Sequence, residues 1–344
     1  MLPINTIQVM DCLAGLKGLP DECIQTCITS PPYWRLRDYN IAGQIGLELT
    51  PAGYIERLSL VFTEVLRVLR KDGTLWLNLG DTYNAYKANT GDSAYAGFKN
   101  RPQQKRGLLD PLLKNKDLIG VPWRVALALQ AAGYYLRQDL IWCKPNPMPE
   151  SITDRCTKSH EYLFLLSKSE RYFFDQDAIK QPLKESSKKR LAQDIEHQKG
   201  SDRVPGKTNG MMKAVGQAVG GKKLDKYQSS IGKDSSHFQT RNTNGKAWES
   251  ADGKCNKRSV WVVASQPFKD NHFATYPEAL IIDCVKAGSR PDDLVLDPFM
   301  GAGTTALVAA SLGRNYLGFE LSPEYAAIAN KRLQERLGMF YRGP

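Results

Sequence analysis

Residues 27–34 read CITSPPYW: a hydroxyl, two prolines and two aromatic rings at the end of an apolar run. Proline cannot continue a hydrogen-bond ladder, so the backbone stiffens where a strand should hand over to a loop. Ser30 can accept a hydrogen bond, and the Pro31 carbonyl has no competing ladder obligation. Two such acceptors suit the two hydrogens of an exocyclic amine. An aromatic amine is a poor nucleophile because its lone pair is shared with the ring, so holding and orienting it is the work required. Pro32 rigidifies the turn, and Tyr33 offers a flat face for a base taken out of a duplex stack. Trp34 reads equally well as a core indole.

A second stretch lies far downstream. DPFMGAGTT (297–305) joins a strand to a helix, with Gly301 and Gly303 permitting a tight turn and close approach of a ligand. Thr304 and Thr305 are placed to cap the helix, whose free N–H groups form a positive pole. The spacing is GxG alone, without the third glycine of a dinucleotide fingerprint or the GK[ST] of a phosphate loop. A nucleotide-like ligand without a bound pyrophosphate is the reading. Glu320 ends the next strand, where an acid can accept from ribose hydroxyls. Asp297 either orders the loop or faces a charged amino group of the ligand. The bland alternative is a tight turn with a solvated Glu320.

The elements that must carry these stretches alternate. Strands are expected at 5–11, 23–30, 73–80, 134–144, 160–168, 259–265, 293–299 and 315–322. Helices are expected at 51–70, 120–132, 276–288, 304–313 and 323–337, several with proline at the start. That alternation implies an α/β fold with a mostly parallel sheet. Residues 84–117 are polar and read as a long loop. Residues 181–258 break the rhythm with glycine, lysine and amide side chains and few apolar residues, which marks an insert.

Charge follows the insert. The chain has 47 Lys and Arg against 36 Asp and Glu, a net +11. Residues 181–260 hold 17 basic and 8 acidic residues, so they carry most of the excess. A polyanionic partner is favoured, although a charge run is usually only a solvated face. Cysteines 12, 23, 27, 143, 156, 255 and 284 form no CxxC pair and the four histidines are scattered, which argues against a zinc site or disulfide framework and for a reducing compartment. No run reaches membrane-spanning length and the start is not signal-like.

TSPPYW before DPFMGAGTT resembles the beta class of amino-group DNA methyltransferases, in which the catalytic tetrapeptide precedes target recognition and the cofactor loop. The likeness covers residues 5–170 and 259–337. It implies a circularly permuted Rossmann-like sheet with a catalytic half at 1–180 and a cofactor half at 259–344, and by elimination makes the basic insert 181–258 the candidate target-recognition region, a role that residues 84–117 could share. It also implies S-adenosylmethionine as cofactor. Pro298, Phe299, Gly301 and Gly303 match the cofactor loop, flanked by Asp297 and Thr304, and Glu320 matches the ribose acid. Asp11 matches a position near the adenine ring. His272, Phe273, Thr275 and Pro277 match the segment closing over the methionine half. Ser30, Pro31, Pro32 and Tyr33 are the catalytic residues of this reading. Arg190, Lys222, Lys223, Arg241, Lys257 and Arg258 are candidates to meet DNA. Lys144, Asn146 and Glu150 border the rim, and Arg155, Lys158 and His160 are either phosphate contacts or surface groups. Asp38 is expected to cap a loop rather than act as a base.

A serine before PPY is typical of members acting on the cytosine amine, which favours N4-cytosine over N6-adenine without excluding the latter. Double-stranded DNA is the expected substrate, in the cytoplasm. A companion restriction endonuclease and a homodimer are both compatible with the resemblance. The rivals are a non-catalytic nucleic-acid-binding protein on the same fold and, more weakly, an RNA substrate or a dehydrogenase.

Overall fold

The computed structural model describes residues 2–84, 110, 112–187, 253–265 and 276–338. Ten strands are described: β1 (Thr6–Val9), β2 (Ile24–Thr29), β3 (Leu69–Leu79), β4 (Tyr135–Cys143), β5 (His160–Ser167), β6 (Gln181–Pro182), β7 (Lys254–Cys255), β8 (Val260–Val262), β9 (Leu294–Asp297) and β10 (Asn315–Glu320). The helices are α1 (Cys12–Lys17), α2 (Pro51–Val68), α3 (Val121–Ala131), α4 (Glu278–Gly288), α5 (Thr304–Ser311) and α6 (Pro323–Leu337). By contacts the chain divides into two units, Met1–Ile179 with Arg258–Pro344, and Lys180–Lys257. In the second unit, β6 and β7 pair antiparallel, Gln181 opposite Cys255.

The first unit is built on one eight-stranded sheet in the order β1-β10-β9-β2-β3-β5-β4-β8. Its pairs are parallel except at β5, which runs antiparallel to both β3 and β4. Alternation along the strands supplies two cores. Leu75 and Leu77 join Phe164 and Leu166 under Leu58, Phe62 and Val65 of α2 and Val125 and Leu129 of α3. On the other face Ile28, Trp76, Leu163 and Leu165 lie with Ile281 and Val285 of α4, Leu307 of α5 and Leu333 of α6. Burial on both faces explains why the central strands read as continuous apolar runs. Each large side chain so buried contributes about 2 kcal/mol.

Local sequence explains the boundaries. Thr50 caps α2 by accepting from Gly53 N, and Pro51 takes the first turn, where its missing N–H costs nothing. The helix ends earlier than its periodicity predicts. Leu69 turns extended (ψ 138°) and pairs at once with Ile24, so β3 follows α2 without a loop. A register shift between Ile24 and Thr26 absorbs the mismatch. The expected strand at 259–265 is three residues long.

The site follows from topology. From β2 the chain crosses through α2 to β3 on one side; from β9 it crosses through α5 to β10 on the other. The segments leaving the carboxyl ends of these two neighbours therefore diverge and open a crevice between them.

Candidate active site

Ser30 leaves the end of β2 beside Asp297, which ends β9. The join is direct: Thr29 Oγ1 donates to Asp297 Oδ1 at 2.6 Å. Around it lies a pocket of about 730 Å³ whose walls include Asp11, Ser30, Pro31, Pro32 and Tyr33 from the first half, and Asp297 through Ala302, Thr304 and Glu320 from the second. The two sequence-distant stretches therefore share one cavity.

Prolines shape the first wall. Among the described residues no hydrogen bond reaches the Pro31 carbonyl, whereas the Pro32 carbonyl is taken by the Tyr54 hydroxyl at 2.8 Å. The Tyr33 hydroxyl donates to Glu161 Oε2 at 2.6 Å and lies 3.2 Å from Asn78 Oδ1. Burial, then the Glu161 carboxylate, pushes the Tyr33 phenol well above its ordinary range. Gly80 makes room for the ring, since a Cβ there would sit 2.5 Å from it. Trp34 is a core indole, 3% exposed, with its N–H on the Glu48 carbonyl. Cys27 is buried in β2.

Asp297 orders the second wall, one of the two roles open to it. Thr29, Thr305 and Tyr276 hydroxyls and the Phe299 N–H all donate to its carboxylate. Burial raises its pKa, and these four donors oppose the rise. Gly301 and Gly303 have φ of 52° and 79°, the left-handed region that glycine enters freely. A Cβ on Gly303 would also lie 2.7 Å from that of Ala329, so the turn needs glycine for packing as well. The threonines do not cap α5 as expected. Gly303 is the capping residue, without a side-chain bond. Thr305 is instead drawn to Asp297, and Thr304 Oγ1 accepts from Arg332.

Glu320 closes the far end. Its carboxylate accepts from Gly301 N at 2.7 Å and Ser322 N at 2.8 Å. Burial again raises the pKa, and the two N–H groups hold it down. Asp11 caps α1 through Ala14 N at 2.9 Å while facing the pocket.

A family model described as DNA methylase matches residues 24–331. The chain belongs to the DNA methylase family. This methylase is 39% identical over 328 residues to the type II methyltransferase M.Cfr9I of Citrobacter freundii, covering 94% of this chain and 86% of that one. It is likewise 39% identical over 334 residues to M.SmaI of Serratia marcescens, covering 96% and 91%. Among solved structures, the PvuII DNA methyltransferase (cytosine-N4-specific) shares the fold at a TM-score of 0.57 and 17% identity, covering 98% of this chain and 93% of that one. A putative DNA modification methylase from Thermus thermophilus, complexed with S-adenosyl-L-methionine, does so at 0.54 and 20%, covering 97% and 94%. The permuted Rossmann-like sheet is therefore the family's fold.

The methylase acts on DNA amines of cytosine or adenine and takes its methyl group from S-adenosylmethionine. The pocket suits that cofactor chemically. It has the volume, a carboxylate at one end for hydroxyl donors, and a glycine turn at Gly301 in its wall.

Other expected residues fall variously. His272, Phe273 and Thr275 lie outside the described residues, as do Arg190, Lys222, Lys223 and Arg241. Pro277 begins α4, and the preceding Tyr276 lines the pocket. Arg258 is exposed just before β8, and Lys257 is half-buried in the second unit. Asp38 caps its loop at Asn40 N, as expected. Lys144 and Asn146 line the pocket, the latter paired through its amide with the Ser265 backbone. Glu150 and Arg155 form an ion pair, and the arginine lies over the Tyr83 ring. Lys158 donates to the Asp81 carbonyl, and burial lowers its pKa. His160 meets Tyr162 edge-on.

The sequence reading missed Thr29, Asn78, Glu161 and Tyr276, and gave Thr305 a capping role in place of its bond to Asp297. Asn78 carried a signal: an amide inside the apolar run GTLWLNLG must find partners when buried.

Proposed function

We propose that the protein methylates the N4 amine of a cytosine extruded from duplex DNA. The observation that supports it most is the shared cavity, in which the neutral Ser30 hydroxyl and the unengaged Pro31 carbonyl stand beside the Asp297–Gly303 loop. When bound, S-adenosylmethionine supplies an electrophilic methyl group there. Glu320 would hold its ribose hydroxyls, Gly301 and Gly303 would keep the turn beside it tight, and Asp11 would lie near its adenine. Pro298, Phe299 and Thr304 complete that wall, with Asp297 fixing the loop.

Ser30 Oγ and the Pro31 carbonyl accept the two amine hydrogens, which turns the nitrogen lone pair out of conjugation with the ring. Ser30 Oγ accepts a hydrogen bond from one of those protons as the nitrogen takes the methyl group and becomes positive; that proton then passes to solvent, and the donor would leave as a neutral thioether. Tyr33 stacks on the base, and Pro32 holds the turn. A neutral serine suits this work better than an aspartate would, because an anion would stabilise the positively charged donor before transfer.

Residues 181–258 serve target recognition, the basic residues named above neutralising phosphates. The relatives are type II methyltransferases, which supports a paired restriction endonuclease.

The test is transfer of labelled methyl from S-adenosylmethionine to plasmid DNA, followed by digestion to nucleosides. Label is expected in N4-methylcytosine. Label confined to N6-methyladenine would overturn the cytosine assignment, and no label on any duplex would favour a non-catalytic DNA-binding protein.

A further inference from the structure

Glu161 is the second residue of β5 and stands opposite Trp142 of β4. Its two oxygens are used differently. Oε2 accepts from the Tyr33 hydroxyl at 2.6 Å and from Asn78 Nδ2 at 3.3 Å. Oε1 is held by the Lys144 ammonium, and the pair is largely buried, with side chains 15% and 23% exposed. The ammonium also stands 4.3 Å over the Trp142 ring. Asn78 is anchored in turn, its amide donating to the Tyr162 carbonyl at 3.0 Å. All of these side chains but Tyr162 line the same pocket as Ser30 and Pro31.

Two constraints converge on one ring. Glu161 fixes Tyr33 at its hydroxyl end, and the missing Cβ of Gly80 lets the ring edge settle against the backbone of β3's exit. A ring that receives the face of a base must present a fixed plane, and a hydrogen bond to a buried carboxylate supplies that more strongly than a neutral partner would. An uncompensated Glu161 carboxylate beside Tyr33 would compete with Ser30 Oγ and the Pro31 carbonyl for the amine hydrogens. Lys144 removes that conflict.

We infer that Glu161 is a positioning residue for Tyr33, and that Lys144 both holds it and cancels its charge within the pocket. The inference rests on the reading above only in that Tyr33 flanks the base to be methylated. The chemical identity of that base does not enter.

The experiment is single-turnover methyl transfer to duplex DNA, counting label in either base, with S-adenosylmethionine binding measured on the same proteins. Glu161→Gln and Tyr33→Phe should each slow transfer about ten- to a hundredfold, the rate equivalent of one hydrogen bond to a charged group. Their double variant should be no slower than Tyr33→Phe alone, because Tyr33→Phe already removes the bond that Glu161→Gln weakens. Lys144→Met alone leaves a buried carboxylate uncompensated and should be slower than Lys144→Met combined with Glu161→Gln. S-adenosylmethionine affinity should hold throughout. Full activity in Glu161→Gln, multiplicative losses with Tyr33→Phe, or a loss of cofactor binding that tracks the loss of rate would each overturn the inference. Because both bases are counted, a failed cytosine assignment leaves this test readable.

Discussion

At Thr29 a hydroxyl closes on a carboxylate 268 residues away, tying together the two strand ends that form the site. Asp297 spends its acceptors on four protein donors, whereas Glu320 spends its own on two backbone N–H groups at the pocket's edge. Both carboxyls are pushed up chiefly by burial. For Glu320 this has a definite sign. The folded protein keeps the proton at a pH where the unfolded chain has released it, so unfolding releases protons and stability falls as pH rises through that window. The wild-type stability advantage over Glu320→Gln should therefore shrink between about pH 4 and the raised pKa. Paired thermal unfolding curves measure it, and an advantage that grows with pH would contradict it. That Ser30, Pro31, Tyr33 and Glu320 line a pocket was legible because each sits where a strand hands over to a loop. Glu161 was not, because an acid in HEYLFLLSK shows nothing of the tyrosine it meets until β5 is placed beside β3.

Elements were legible where local signals agreed. Apolar spacing and Pro51 together announced α2, and Pro323 marked the start of α6, whereas the caps supplied by Thr50 and Ser322 are seen in the structure. Removing the cap by Thr50→Ala should cost about 1 kcal/mol of stability while leaving methyl transfer intact, since Thr50 is not a wall of the pocket. Chemical denaturation with an unchanged slope would show it, and an unchanged midpoint would contradict the cap's role. Direction within the sheet was not legible. β5 runs antiparallel between β3 and β4, yet its apolar run resembles a parallel core strand because both of its faces are covered. Nor did spacing reveal that α2 passes straight into β3, since the pairing of Leu69 with Ile24 decides where the helix stops. At α5 a local rule misled: threonines that fit a cap by type are claimed by tertiary partners.

Over the whole molecule, the order in which the chain builds the sheet sets the function. Crossovers leaving β2 and β9 in opposite directions open one crevice, and the amine-holding tetrapeptide and the glycine loop enter it from opposite ends of the sequence. That convergence was foreseeable from the family resemblance alone, since nothing in either stretch points to the other. On the proposed function the two walls divide the work: the wall at Glu320 would bind the cofactor, and the wall at Ser30 would hold the amine. The measurement that tests this division most directly compares Ser30→Ala with the wild type on duplex DNA, recording S-adenosylmethionine affinity and single-turnover methyl transfer on the same preparation. The expected result is unchanged affinity with transfer slowed about a hundredfold, the scale of losing one group that stabilises developing charge. Transfer at the wild-type rate would contradict it.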